Sequence, residues 1–370
     1  MTQLKGLFTE QGQSPWLDDL KREWLRNGRL EQWIARGVRG ITSNPTTFQK
    51  AVEGSTLYDD ELQALVGEGA STPDIYWTLV VNDVERALDL FLPLHHASGG
   101  EDGFVSLELA PSLAHDTAGT IAEARRFHQA IGAPNLYVKI PATEEGVPAI
   151  QQMVAEGRNI NITLLFSLER YEQVIEAYLA GLDAHEGDLS RVRSVASFFV
   201  SRVDTEVDKR LEKIGSPEAL GLRGQAASAQ AKLAYQLFTQ KFSGPRWNAL
   251  RERGAHPQRP LWASTSTKNP AYPDTKYVDP LIGPMTVNTM PEETLAAFED
   301  HGRLDRTIER DLDAAGIALV RLSVLGVDMK EVGRKLEEEG VEKFARSFDD
   351  LLARLDARAA AMRPRAPPMG

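Results

Sequence analysis

The 370-residue chain contains no cysteine. That excludes a disulfide framework, a thiolate nucleophile and a cysteine metal site. Histidine is sparse: seven residues, at 95, 96, 115, 128, 185, 256 and 301, without metal-ligand spacing. The adjacent His95 and His96 would not share a helix face. All seven read as structural or surface groups, and no metal is expected. No window of 18 apolar residues occurs, so no span and no membrane partner are expected. The opening Met1-Thr2-Gln3-Leu4-Lys5 has no apolar stretch of signal-peptide length. A cytoplasmic location is therefore expected, and the sequon Asn161-Ile162-Thr163 carries no weight. Positive charge is in deficit too: net −11, with pI about 5.3, which disfavours bulk nucleic-acid binding. Neither G-x-G-x-x-G nor a Walker A sequence is present, and no repeat of period 20–50 is seen.

What the chain does have is an unusual lysine. Asn135-Leu136-Tyr137-Val138-Lys139-Ile140-Pro141-Ala142-Thr143 reads as a short apolar strand stopped by its proline. Alternation puts Val138 and Ile140 on one face, Tyr137 and Lys139 on the other. An ammonium held out of water loses hydration, so the neutral amine becomes accessible and can form a Schiff base with a carbonyl. The plain alternative is a lysine that snorkels its head to solvent at a strand end.

Seven other segments read as strands: 14–18, 37–45, 103–109, 159–166, 194–200, 260–265 and 285–289, with a possible fragment at Tyr277–Pro280. Helical spacing predicts helices over 19–34, 73–92, 116–131, 144–156, 167–184, 291–301, 305–325 and 328–357, and a broken helical stretch over 201–254. Residues 1–13 look like a loosely held lead-in, and the tail 358–370 reads as disordered. Strands alternating with helices predict one α/β domain over residues 1–357, a (β/α)8 TIM barrel with additional helices and a C-terminal helical extension. A doubly wound sheet would normally place a Gly-rich turn after its first strand, and none is found. The apolar stripe of the last helix (Val341, Phe344, Phe348, Leu351, Leu352, Leu355) fits either a cover over the barrel mouth or a partner surface.

In a barrel the strand C-termini share one mouth. Those ends carry Asp18, Asn44, Glu108, Lys139, the pair Asn161 and Thr163, and the pair Ser197 and Phe199. Any one of them has a bland role as a cap or turn residue. Gathered around an embedded lysine, they are the polar groups that carbonyl chemistry requires.

The sequence resembles a transaldolase from about Ser14 to Leu355. The resemblance lies in Gly40-Ile41-Thr42-Ser43-Asn44-Pro45-Thr46-Thr47-Phe48, in Tyr137-Val138-Lys139-Ile140-Pro141-Ala142-Thr143-Glu144-Glu145-Gly146-Val147, and in Asn161-Ile162-Thr163-Leu164-Leu165-Phe166-Ser167. Trp16-Leu17-Asp18 and Trp262-Ala263-Ser264-Thr265 resemble the long bacterial subgroup. The resemblance implies transfer of a dihydroxyacetone unit from sedoheptulose 7-phosphate to glyceraldehyde 3-phosphate in the non-oxidative pentose phosphate route. It implies no cofactor, and small sugar phosphates as partners. Monomer and homodimer both stay open.

It also implies roles. Lys139 is the Schiff-base nucleophile. Glu108 relays protons through a water held by Thr163, and Asp18 is the acid–base group for the C4 hydroxyl. Asn44, Asn161 and Ser197 hold the three-carbon unit, with Phe199 beside them. Arg202 in Ser197-Phe198-Phe199-Val200-Ser201-Arg202 resembles the phosphate arginine. Many family members have Ser-x-Arg past the seventh strand. Here Ser264-Thr265-Ser266-Thr267-Lys268 stands there, which makes Ser264, Ser266 and Lys268 the phosphate candidates. Glu108-Leu109-Ala110-Pro111 also lacks the acidic residue expected soon after the glutamate. Related fructose-6-phosphate aldolases typically carry glutamine at the place of Glu108 and tyrosine at that of Phe199, so transfer is favoured over release. A non-catalytic sugar-phosphate sensor would be expected to have lost the lysine or an acid.

Overall fold

The computed structural model describes residues 2–18, 20–43, 48 and 55–362. Its centre is a closed barrel of parallel strands in sequence order. These are β1 (Gln13–Asp18), β2 (Gly40–Thr42), β3 (Phe104–Glu108), β4 (Leu136–Pro141), β5 (Ile160–Leu165), β6 (Ser194–Phe199), β7 (Arg259–Ala263) and β8 (Thr286–Met290). β1 closes the barrel on β8, with Gln13 opposite Thr286 and Leu17 opposite Met290. Parallel strands need a crossover each, and α-helices supply it on the outside between β1 and β7, while β7 reaches β8 through a loop with one 3₁₀ segment, Asp279–Leu281. The outward side chains of the strands, among them Leu17, Ile41, Leu107, Val138, Ile140 and Ile162, are buried to 1% exposure or less.

The interior is layered. At the N-terminal floor, buried Asp102 accepts a hydrogen bond from Ser14 Oγ at 2.8 Å and pairs with Arg39 at 2.6 Å and Arg259 at 3.1 Å. Above it, Tyr137 stacks on Phe104 with centroids 4.0 Å apart and on Trp16 at 6.1 Å. Trp16 passes over Gly40, where a Cβ would lie 2.5 Å from the indole. Only glycine leaves room for that ring. The polar groups at the C-terminal ends of the strands form the next layer.

Several boundaries differ from the sequence expectation. Residues 1–13 are not a loose lead-in: Gln3–Thr9 is a helix capped by the Thr2 side chain, with Leu4 and Leu7 fully buried. Seven residues are too few for a periodicity to stand out. The helix expected over 19–34 is two, Arg22–Asn27 and Arg29–Arg36, joined at Gly28 with φ 78°. Tyr277–Pro280 is no strand but turn leading into a 3₁₀ segment, Asp279–Leu281. The helix expected over 305–325 starts only at Leu312.

The last helix, Met329–Met362, runs past the expected end at 357, with Ala359 fully buried, and residues 363–370 lie outside the described ones. It crosses the mouth of the barrel. Glycines let it come close: a Cβ at Gly333 would lie 2.7 Å from Ser167 Cβ, and one at Gly340 3.0 Å from Leu164 Cδ2. Further along, Phe348 meets Tyr76 edge-on at 5.0 Å.

Candidate active site

Register brings the lysine to its acid. Glu108 on β3 and Lys139 on β4 are Cα partners, so their side chains enter the barrel side by side. Lys139 Nζ donates to the Ser43 main-chain oxygen at 2.9 Å and to Glu108 Oε2 at 3.3 Å. At 6% exposure the lysine does not snorkel out. Burial raises the Glu108 carboxyl above its usual range; Lys139 opposes the rise, the Asp18 charge adds to it and Arg202 opposes it. Val341 and Phe344 of the last helix join Leu109, Pro111 and Leu164 in an apolar cover beside Glu108 and Lys139. That cover is a physical source of the desolvation.

A cavity of about 310 Å³ opens next to the lysine. Asp18, Thr163, Ser197, Phe199, Arg202, Ser264, Ser266 and Lys268 all line it with Lys139. The sequence-predicted residues thus converge from β1, β4, β5, β6 and the segment after β7. Asn161 is one layer down and fully buried. Its Nδ2 donates to Ser106 Oγ at 3.0 Å, and its Oδ1 accepts from Ser197 Oγ at 2.7 Å. Asn44 lies outside the described residues. A larger cleft of about 420 Å³, between Glu169, Arg170, Lys330 and Glu337, contains none of the predicted residues and is a face of salt-bridged side chains.

Local backbone geometry aims these groups. β5 carries one extra residue against β6 between Ile162 and Leu165, and Leu164 takes a left-handed φ of 59°. Such a conformation costs a leucine roughly 1–2 kcal/mol. The bulge gives Leu164 to the cover over Glu108, while Thr163 faces the cavity. Thr163 Oγ1 is buried and, among the described residues, has no hydrogen-bond partner. Asp18 Oδ1 accepts from Thr42 Oγ1 at 3.0 Å, and Thr42 in turn meets Thr289 Oγ1 at 2.8 Å.

Arg202 sits in the first turn of helix Ser201–Ile214, with its guanidinium 5.0 Å from the Phe199 ring centre and 6.0 Å from that of Phe344. Burial lowers its pKa, and the charges of Glu108 and Asp18 raise it. Among the described residues it has no carboxylate within ion-pairing distance, so its charge faces the cavity uncommitted. Ser264, with φ 54°, places its hydroxyl 3.1 Å from Ser201 Oγ. Lys268 stands exposed on the loop between β7 and β8.

Sequence reasoning missed Thr42, Ser106 and Thr289, whose hydroxyls orient Asp18 and Asn161. Ser106 was legible because it stands two residues before Glu108 on β3, and Thr42 because it stands two residues before Asn44 in the sequence. Sequence reasoning did not place Lys343 in the site, and it left Phe344 between a cover over the mouth and a partner surface; both line the cavity. The apolar stripe marks Phe344, but its position depends on where a distant helix docks, and no local signal marks Lys343.

The family model described as transaldolase/fructose-6-phosphate aldolase matches residues 15–355. A transaldolase of Acidothermus cellulolyticus is 53% identical over 347 residues, covering 92% of this chain and 93% of that protein. A transaldolase of Thermobifida fusca is 49% identical, covering 96% of this chain and 98% of its own length. A third, from Thiobacillus denitrificans, is 49% identical over 93% and 97% respectively. The lysine on the fourth strand of a parallel barrel and these matches agree: the chain belongs to the transaldolase/fructose-6-phosphate aldolase family.

Proposed function

We propose that this chain is a transaldolase, which moves a dihydroxyacetone unit from sedoheptulose 7-phosphate to glyceraldehyde 3-phosphate and yields erythrose 4-phosphate and fructose 6-phosphate. The observation that carries this reading is the buried Lys139–Glu108 pair opening onto a cavity that Arg202 and Lys268 also line. The substrates are soluble sugar phosphates, which fits work in the cytoplasm, as a monomer or a homodimer.

Lys139 Nζ, as the neutral amine, adds to the ketose C2 carbonyl. Glu108 sits within reach to take a proton from the adding nitrogen and deliver one to the departing carbinolamine oxygen, through a water on Thr163 Oγ1. A carboxyl raised by burial gives and takes a proton more evenly than an ordinary one, which suits both steps. Water leaves and the protonated imine forms. Asp18, oriented by Thr42, takes the C4 hydroxyl proton. The C3–C4 bond breaks, its electron pair passes to the imine, and the first aldose departs. The enamine then attacks the acceptor aldehyde, Asp18 returns its proton, and hydrolysis frees Lys139.

Ser197 donates to Asn161, which leaves its oxygen lone pairs for substrate hydroxyls. Asn44 is assigned to the same three-carbon unit by the resemblance. Phe199 supports the Arg202 guanidinium from one side. Arg202, with Lys268, Ser264 and Ser266, takes the phosphate, and a guanidinium can do so in a bidentate way.

Borohydride trapping with fructose 6-phosphate, followed by peptide mass spectrometry, tests the assignment. A reduced dihydroxyacetone adduct on Lys139 is expected, and an adduct on another lysine would overturn it. Assay without acceptor separates the neighbouring activity of the family: dihydroxyacetone accumulating at the transfer rate would mean aldolase rather than transferase.

A further inference from the structure

The two cations assigned to phosphate come from different segments. Arg202 is on helix Ser201–Ile214; Lys268 is on the loop between β7 and β8. Their separation therefore depends on whatever ties that loop to that helix.

The tie is made by two buried carboxylates of the same helix, Asp204 and Asp208, two and six residues after Arg202. Asp204 Oδ2 accepts from the Tyr277 hydroxyl at 3.0 Å, and its Oδ1 accepts from the Ala227 N–H at 2.8 Å. Asp208 Oδ2 accepts from the Tyr272 hydroxyl at 2.6 Å, and its Oδ1 from the Gly224 N–H at 2.7 Å. The pattern is duplicated: each carboxylate holds one tyrosine of the loop and one main-chain amide at the start of helix Ala226–Lys241, Gly224 just before it and Ala227 in its first turn. Asp204 is 1% exposed, Asp208 9% and Tyr277 3%. Lys276 closes the triangle by donating to Gly224 O at 2.6 Å.

The loop transmits this hold to Lys268. Tyr272 N donates to Asn269 O at 3.0 Å, and Thr267 Oγ1 donates to Pro273 O at 2.9 Å, so the stretch from Thr267 to Pro273 is one folded unit. A cavity of about 270 Å³ between helix and loop, bordered by Asp204, Asp208, Tyr272 and Lys268, gives the loop room to shift once the tyrosines are released.

We propose that Asp204 and Asp208, through Tyr277 and Tyr272, are positioning residues that set the spacing of Arg202 and Lys268 and so the affinity for the substrate phosphate. This rests on the sugar-phosphate reading above. Neither carboxylate touches the reacting carbons, so the chemical step should not depend on them.

The test is Tyr272→Phe with Tyr277→Phe, which deletes two hydroxyls and little volume, and separately Asp208→Asn, in case the double variant folds poorly. Fructose 6-phosphate and inorganic phosphate are the probes. The expected result is a KM for fructose 6-phosphate raised about tenfold, an inhibition constant for phosphate raised by the same factor, and kcat at saturation within about twofold of wild type. KM and phosphate inhibition both unchanged would overturn the proposal, whatever happens to thermal stability, because a purely structural clamp moves only the latter. A fall in kcat at constant KM would overturn it as well. If the wild-type protein itself traps an adduct on Lys139 yet is not inhibited by phosphate, the phosphate site is misassigned and the proposal falls with it.

Discussion

Lys139 Nζ lies 3.3 Å from Glu108 Oε2 beneath a cover that includes Val341 and Phe344. The two side chains are neighbours because their strands pair in register, and they are dry because a helix some two hundred residues later in the chain crosses above them. The residues proposed as nucleophile and proton carrier thus depend for their dryness on a segment far away in the chain.

Removing the amine should remove the chemistry. Lys139→Ala is expected to give no borohydride adduct and only a trace of transfer activity. Turnover well above that trace would assign the nucleophile elsewhere.

Opening the cover should change a titration. Burial is the first cause of the raised Glu108 pKa, and Lys139, Asp18 and Arg202 are the charges that face it, with the buried Tyr76 hydroxyl coupled to it in turn. Phe344→Ala admits water, stabilises the carboxylate and lowers its pKa. The Glu108-governed limb of kcat against pH should therefore move to lower pH, and Phe344→Leu should leave it nearly in place. An unmoved limb in the alanine variant would show that the ring is only packing.

Arg202, proposed to hold the phosphate, should act on binding. Arg202→Ala is expected to raise KM for phosphorylated sugars chiefly, by at least tenfold for a lost charge-assisted pair. A drop in kcat alone would place Arg202 in the transition state instead.

Gly40→Ala probes the interior directly. The added methyl would lie 2.5 Å from the Trp16 indole, which is itself stacked on Tyr137. Overpacking of this kind costs about 1–3 kcal/mol, measurable as a shift in denaturation midpoint. No shift would mean that the ring has somewhere to go.

His128 sets a pH dependence of stability. Burial, with Arg158 adding, lowers its pKa from 6.5 to about 4, so the folded state binds fewer protons than the unfolded chain between these values. Stability is fully present above about pH 6.5 and should decline as pH falls toward 4, by an amount of order 3 kcal/mol. His128→Gln should flatten that decline in thermal melts across the window; an unchanged slope would assign it to other groups.

The strands, their order and Lys139 were legible because alternation and punctuation are local properties. Asp18 and Thr163 were legible because a strand end in a barrel has one destination. The break at Gly28 was hidden, since one glycine interrupts a helix only when its φ turns positive. Leu164 was read as a simple strand residue: nothing in Ile160-Asn161-Ile162-Thr163-Leu164-Leu165 announces a bulge, which is set by the register against β6. Asp204, Asp208 and Asp102 were not singled out, because burial of a carboxylate depends on partners far away in the chain. The last helix left two readings open, and its docking over Glu108 decides for the cover.

The ring layer of Trp16, Phe104 and Tyr137 has a wider consequence: it works as an electrical partition. Asp102 with its arginines stands on one side, Glu108 with Lys139 on the other, six residues later in the chain and so at most about 20 Å away. At such a distance a unit charge contributes on the order of 1 kcal/mol at an effective dielectric of 20, and a paired charge less. The charges acting on Glu108 are accordingly those of its own side, Lys139, Asp18 and Arg202. The barrel thus has two ends that can be tuned independently, one for how firmly the protein holds together and the other for what it does to a sugar.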